Sequence, residues 1–269
     1  MTDELTALSE EVEKQIVRDL MARAPKDLAE EIGYKVDAVG GTLISRAAGD
    51  GSIIINRTLG LDDTGHDPAL IDRALKAYDD AGVAKFFLHV QPDAPDSLRD
   101  DLLGRGLKTG RAWMKFKRGM APVDLPENDL RVEELTPASA ADFGRITATC
   151  FGMTPTFGKI LAATAIASPN WHVFMAFDGD APAGCGCLVT YENVGLLDMG
   201  ATDPDFRCRG VQGAVMAARI NKAVDLGLGH LFTETGEAVE GEAQHSYGNI
   251  LRYGFEEWYA RQNYLPDQG

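Results

Sequence analysis

Residues 203–218, Asp-Pro-Asp-Phe-Arg-Cys-Arg-Gly-Val-Gln-Gly-Ala-Val-Met-Ala-Ala, hold the groups needed to grip an anion. Arg207 and Arg209 are fixed cations two residues apart. Gly210 and Gly213 flank the first turn of a helix that the spacing of Val211, Ala214, Val215, Ala218 and Ile220 predicts over residues 211–226, with Arg219, Asn221 and Lys222 facing mostly outward. A helix N-terminus presents about four unpaired N–H groups and roughly half a positive charge. Glycine there lets a ligand reach the bare backbone. A pyrophosphate is the anion that best matches this set; the alternative is a surface loop before an ordinary amphipathic helix.

The elements that must position this loop follow from pattern. A strand over 193–202, with Val194, Leu196 and Leu197 as its apolar core, leads into a turn at Asp203-Pro204-Asp205. Upstream, the sequence predicts a strand over 130–135, a helix from Thr136-Pro137 to about 151, a second helix over 156–167, and strands over 171–177 and 182–191 joined at Asp178-Gly179-Asp180. Downstream come a strand over 231–234, a helix near 244–252 and a strand pair around 255–264. The earlier part of the chain predicts an amphipathic helix over 2–24, a short helix over 25–32 and a hairpin turning at Gly40-Gly41. A strand over 52–59 follows, with Ile53-Ile54-Ile55 as its core, then a helix over 68–81 capped by Asp67. A buried strand over 85–90, a helix over 96–103 and a strand through 112–116 complete this part.

Two prolines and no periodicity mark residues 119–129 as a linker. The segments on either side share a shape. Ala81-Gly82-Val83-Ala84-Lys85-Phe86-Phe87 parallels Leu226-Gly227-Leu228-Gly229-His230-Leu231-Phe232, and Gly106-Leu107 followed by Trp113 parallels Gly254-Phe255 followed by Trp258. This reads as a diverged internal repeat, or else as an unrelated α/β domain joined to the second. The first copy, over 56–68, has Gly60 and Gly65 but only Arg57 as a cation, so it lacks the cradle.

The loop at 207–212 resembles the acyl-CoA-binding motif of the GNAT superfamily of N-acyltransferases: Arg or Gln, two residues, Gly, one residue, then Gly or Ala. Here it reads Arg207-Cys208-Arg209-Gly210-Val211-Gln212, with Gly213 one place beyond the usual small residue. The order of strand, Asp-Pro-Asp-Phe, loop, helix, strand, helix and Gly254-Phe255 is similar to the family's over about residues 130–264. The resemblance implies an α/β (α+β) fold of two GNAT-like domains, each a mixed, largely antiparallel sheet with helices on both faces. They would be a degenerate domain over 1–120, a linker over 121–129 and an acyl-CoA-binding domain over 130–269.

By the same resemblance, Gly200, Ala201 and Thr202 present backbone to the pantetheine arm. Arg207, Arg209, Gly210, Val211, Gln212 and Gly213 hold the pyrophosphate, and Asn249 bonds the arm or the thiol. The implied cosubstrate is acetyl-CoA, with no metal, and the implied reaction is direct attack by a primary amine of a small molecule or a protein. Many family members protonate the leaving thiolate with a Tyr four residues before the Gly-Phe pair. Ile250 stands there, with Tyr247 and Tyr253 nearby. Asp198, Glu234 and Glu237 are the candidate bases, and strand alternation puts Asp198 on one face with Gly200 and Thr202. The missing Tyr keeps a second reading open, an acyl-CoA-binding sensor or scaffold without catalysis. A nucleotide site unrelated to CoA would call for Gly-x-Gly-x-x-Gly or a Walker lysine, and the sequence has neither.

Composition narrows the partners. The 269 residues are 45% hydrophobic and carry a net charge of −15, which suits a sizeable core and disfavours nucleic acid or an anionic membrane. No apolar run reaches the length of about 18 that spans a bilayer. The four cysteines, Cys150, Cys185, Cys187 and Cys208, make no disulfide framework in a chain of this size, so a cytoplasmic setting is the expectation. A homodimer is left open.

Overall fold

The computed structural model describes residues 4–242 and 244–267. Helices α1 (Glu4–Arg23) and α2 (Lys26–Ile32) precede strands β1 (Tyr34–Val39), β2 (Thr42–Ala47) and β3 (Arg57–Leu59). Then come α3 (Pro68–Asp80), β4 (Phe87–Val90), α4 (Asp96–Gly104), β5 (Leu107–Thr109) and β6 (Trp113–Arg118). After an irregular stretch follow β7 (Arg131–Glu134), α5 (Ala140–Phe151), α6 (Pro155–Ala167), β8 (Trp171–Asp178), β9 (Ala181–Tyr191) and β10 (Val194–Thr202). The chain ends its described course with α7 (Val211–Asp225), β11 (His230–Gly236), α8 (His245–Arg252) and β12 (Glu256–Pro266). The helix expected over 2–24 is present from Glu4 on; residues 2 and 3 lie outside the described residues. Among the described residues no helix is long and apolar enough to cross a membrane.

The mixed, largely antiparallel sheet with helices on both faces is present, and its strands run on as one path, β1-β2-β3-β4-β12-β6-β11-β10-β9-β8-β7, with β5 pairing β12. Two strands cross between the halves of that path. β6 sits between β11 and β12, while β12 runs from β6 at Glu256–Arg261 on to β4 and β5 at Gln262–Pro266. The strand pair expected around 255–264 is therefore one long strand, since no turn residue interrupts Glu256–Pro266 and each of its ends finds a different partner. The irregular stretch is pinned where Val123 exchanges hydrogen bonds with the Asn221 amide on α7, at 3.0 and 2.9 Å.

Residues 53–55 correct a second expectation. They form turns rather than a strand. The Asn56 side chain accepts from the Ala47 N–H at 2.7 Å and donates to the Asp50 carbonyl at 2.6 Å, which folds the segment back before β3 begins. Ile55 still enters the core, at 3% exposure. The triple-Ile run thus reported burial, not extension.

Helices α5 and α6 cross at a pair of glycines. A Cβ on Gly144 would lie 2.1 Å from the Gly158 carbonyl oxygen, a backbone atom that cannot swing away. Gly144→Ala is expected to destabilise the protein by about 1–3 kcal/mol through overpacking, despite a helix-propensity gain of about 1 kcal/mol. A lowered urea midpoint at an unchanged slope is the result that checks it.

Candidate active site

Parallel strands β10 and β11 pair from Val194 with His230 to Leu197 with Thr233, and their pairing stops there. The Thr233 hydroxyl donates to the Leu197 carbonyl at 2.8 Å at the point of parting. Beyond it, β10 bulges between Asp198 and Ala201, and Met199 takes a φ of +53°. That is an uncommon backbone state for a residue other than glycine. Gly200, Ala201 and Thr202 follow the bulge along the open edge, and Gly200 is exposed.

Arg219 of α7 explains why the bulge is stable. It is 2% exposed, not outward as its position in the helical pattern suggests, and donates to the carbonyls of Cys187 and Asp198, both at 3.2 Å, and of Val215 at 3.2 Å. Room for it comes from Gly186, where a Cβ would lie 2.7 Å from the guanidinium carbon. Burial pulls the Arg219 pKa down to about 10, which leaves it charged at neutral pH beneath the parted strands. The alternation of Gly184 and Gly186 along β9 is the sequence signal that could have placed it.

From Thr202 the chain turns through a short 3-10 segment at Pro204–Phe206 into the cradle loop. Cys208 and Gly210 both have positive φ, +62° and +81°. Val211 then opens α7 with no side chain capping it, so the N–H groups of Val211, Gln212 and Gly213 face outward from the helix end. Arg207 and Arg209 are exposed. Arg209 is paired with Asp178 and lies over the Phe206 ring at 5.4 Å.

Helix α8 closes over the first turn of α7. Asn249 donates to the Gln212 side chain at 2.5 Å and accepts from Arg252 at 2.7 Å. The Tyr253 hydroxyl sits where a Gly213 side chain would be, 2.7 Å from its ideal Cβ. Asn249, Gln212 and Gly213 are thus brought together as one group, with Tyr253 added. Tyr247 is elsewhere: its ring packs edge-on against Phe116 at 4.9 Å, its hydroxyl donates to Glu257 at 2.5 Å, and burial with that carboxylate pushes it up to about 12.

The candidate bases occupy three different settings. Asp198 accepts from the N–H of Met199 at 2.6 Å, and burial raises its carboxyl above the usual range. Glu237 is bound at its backbone and carboxylate by Arg111 and Ala112. Glu234 is an ion-pair member, 2.9 Å from Lys115 and 3.2 Å from Arg261. Those two cations also pair with Glu13 of α1, each at 2.6 Å, and Glu13 takes Arg57 of β3 at 2.7 Å as well. Glu10, at 2.7 Å from Arg261, completes a buried cluster of three carboxylates and three cations drawn from α1, β3, β6, β11 and β12. Burial raises the Glu234 carboxyl, the charge of Glu13 adds to that, and Lys115 and Arg261 pull it back.

A parallel strand pair thus parts at a bulge and leads through a glycine turn into an uncapped helix. Residues 146–251, which span the splay, the cradle and α8, match the family model described as Acetyltransferase (GNAT) family. The chain carries a GNAT acetyltransferase domain. In fold it is similar to a GCN5-related N-acetyltransferase from Kribbella flavida, at a TM-score of 0.63 and 14% identity over 97% of this chain and 95% of that one. It is also similar to a tandem GNAT protein from the clavulanic acid biosynthesis pathway, at 0.58 and 14% identity over 98% and 95%. A third is a GCN5-related N-acetyltransferase from Sphaerobacter thermophilus, at 0.60 and 12% identity over 77% and 70%. At these identities the likeness is one of fold. No curated protein matches the chain in sequence.

Proposed function

We propose that the protein is an N-acetyltransferase that moves an acetyl group from acetyl-CoA to a primary amine by direct attack. The observation that carries this reading is the uncapped N-terminus of α7 behind Gly210, set directly beyond the parting of β10 and β11. In this reading the open N–H groups of Val211, Gln212 and Gly213, with Arg207 and Arg209, hold the pyrophosphate. Gly200, Ala201 and Thr202 pair with the pantetheine arm as an added strand would. The Asn249–Gln212 pair borders that arm. The first half, over 1–120, is a GNAT-like domain that has lost its cradle, joined through 121–129 to the working domain over 130–269.

The amine nitrogen attacks the thioester carbonyl, the C–S bond breaks, and the sulfur leaves as thiolate. One proton must leave the amine and one must reach the sulfur. Asp198 is the acceptor that the site offers, a half-buried carboxyl beside the bulge whose raised pKa makes it a stronger base. Glu234 acts through its ion pairs with Lys115 and Arg261, holding the charge around β11. The charged Arg219 beneath the bulge supports the carbonyl oxygen charge that develops during attack.

Thiol release from acetyl-CoA across a panel of primary amines tests the proposal. Release that requires an amine is expected, and Asp198→Asn should lower kcat by about a hundredfold or more while leaving CoA affinity nearly unchanged. Tight CoA binding with no release for any amine would favour the sensor reading instead.

A further inference from the structure

The β1–β2 hairpin ends the sheet path, and α3 packs on it with a recess left between the two. The recess measures about 440 Å³, within the roughly 300–1,000 Å³ of small-molecule sites. Lys35, Asp37 and Arg46 of the hairpin border one wall, and Arg73, Lys76 and Asp80 of α3 border the other. Ala48, Ala77 and Ala81 supply its apolar lining.

Four cations thus meet two carboxylates, and both carboxylates are taken. Arg46 holds Asp37 at 2.9 Å, and Lys76 holds Asp80 at 2.6 Å. Among the described residues no carboxylate pairs with Lys35 or with Arg73, which leaves one unpaired cation on each wall. The strand register adds a second observation. Lys35 stands directly opposite Arg46 in the β1–β2 pair. Like charges facing each other across a strand pair are destabilising. Arg46 is fixed in place, its side chain 13% exposed and bound to Asp37. A chain of net charge −15 nevertheless gathers four cations at this recess. At physiological salt, exposed charges are screened beyond about 8 Å. An anion in the recess therefore meets the local excess of positive charge and not the net charge of the chain.

We infer that this recess binds a small organic dicarboxylate, one carboxylate going to Lys35 and the other to Arg73, with the carbon chain against the three alanines. Two unpaired cations on facing walls select two separated negative groups over one. The Arg73 guanidinium suits a carboxylate because its N–H fork meets both oxygens. The apolar lining selects a carbon frame over an inorganic anion. No residue of the cradle or of the parted strands borders the recess, so the site does not depend on the acyltransferase reading.

Calorimetric titration of the full chain with adipate tests the site, beside hexanoate with one carboxylate and adipamide with none. One-to-one binding of adipate is expected, with hexanoate at least about tenfold weaker and adipamide not bound. Lys35→Gln and Arg73→Gln each remove one exposed charge and strip no partner, so both are designed to fold. Each should weaken adipate about tenfold or more through loss of a charge-assisted contact. Gly210→Asp should leave adipate binding intact, which separates the recess from the cradle, the other place that draws an anion. No adipate binding by the folded wild type, equal binding of hexanoate or of sulfate, or an affinity indifferent to both recess variants overturns the proposal. Loss of adipate binding in Gly210→Asp, with both recess variants unaffected, moves the ligand to the cradle and overturns it as well. Should one variant fail to fold, the other and the hexanoate comparison still decide.

Discussion

Glu13→Ala is expected to lower the free energy of unfolding by about 3–5 kcal/mol, because it strips the shared counter-ion from a buried set of charges. Glu13 is essentially unexposed and bonds Lys115, Arg57 and Arg261 at once. Removing it leaves three cations facing only Glu10 and Glu234, each cation too deep to be reached by bulk water. Urea unfolding followed by circular dichroism measures the loss, and a change below about 1 kcal/mol would show that the cluster relaxes into solvent. The pH dependence has a definite sign. The three cations hold the Glu13 carboxyl well below its ordinary 4.5 despite the opposing cost of burial. Its contribution to stability is therefore fully present above that ordinary value and is lost as pH falls through the depressed folded one. Glu234 runs the other way, since its raised carboxyl makes it the first of the cluster to take up a proton in acid.

Gly210→Asp is expected to reduce CoA affinity by about a hundredfold or more, from like charge and steric block at one point. Gly210 has a φ of +81°, so any side chain adds strain of about 1–2 kcal/mol, and its Cβ would sit 3.0 Å from the Asn128 amide. A modest fall in melting temperature accompanies the loss of binding. Gly210→Ala carries the strain without the charge and should retain most of the affinity, which isolates the electrostatic part. Arg209→Ala should cost less than the charge alone suggests, because Arg209 must leave Asp178 before it can serve a phosphate. Titrating CoA beside dephospho-CoA separates grip on the pyrophosphate from grip on the 3′-phosphate. Unchanged CoA affinity in Gly210→Asp would falsify the cradle.

What the sequence made legible was what short-range pattern controls. The strand at Val194–Thr202, the turn at Pro204–Phe206 and the start of α7 at Val211 stand where alternation, proline and helical spacing put them. What it hid depends on partners distant in the chain. Arg219 occupies a polar place in its helical pattern, yet it turns inward because Gly186 on another strand leaves a hole there. Glu10 and Glu13 look like the solvated face of an amphipathic helix, and only the meeting of β6, β11 and β12 beneath α1 reveals them as buried counter-ions. Ile53-Ile54-Ile55 looks like a strand because burial and extension share a signature, and the Asn56 side chain decides between them.

The crossing of β6 and β12 sets an order on the making of this molecule. The sheet begun at Tyr34 lacks a second neighbour for β4, and any neighbour for β5, until Gln262–Pro266 has been synthesised and has left the ribosome. Meanwhile β6, made early, has an unpaired edge on each side until β11 and β12 arrive to flank it. The nascent first half thus waits with open strand edges until Glu256–Pro266 emerges, an interval in which edge-to-edge pairing between chains is the main hazard. Both halves of the sheet then close in the same step.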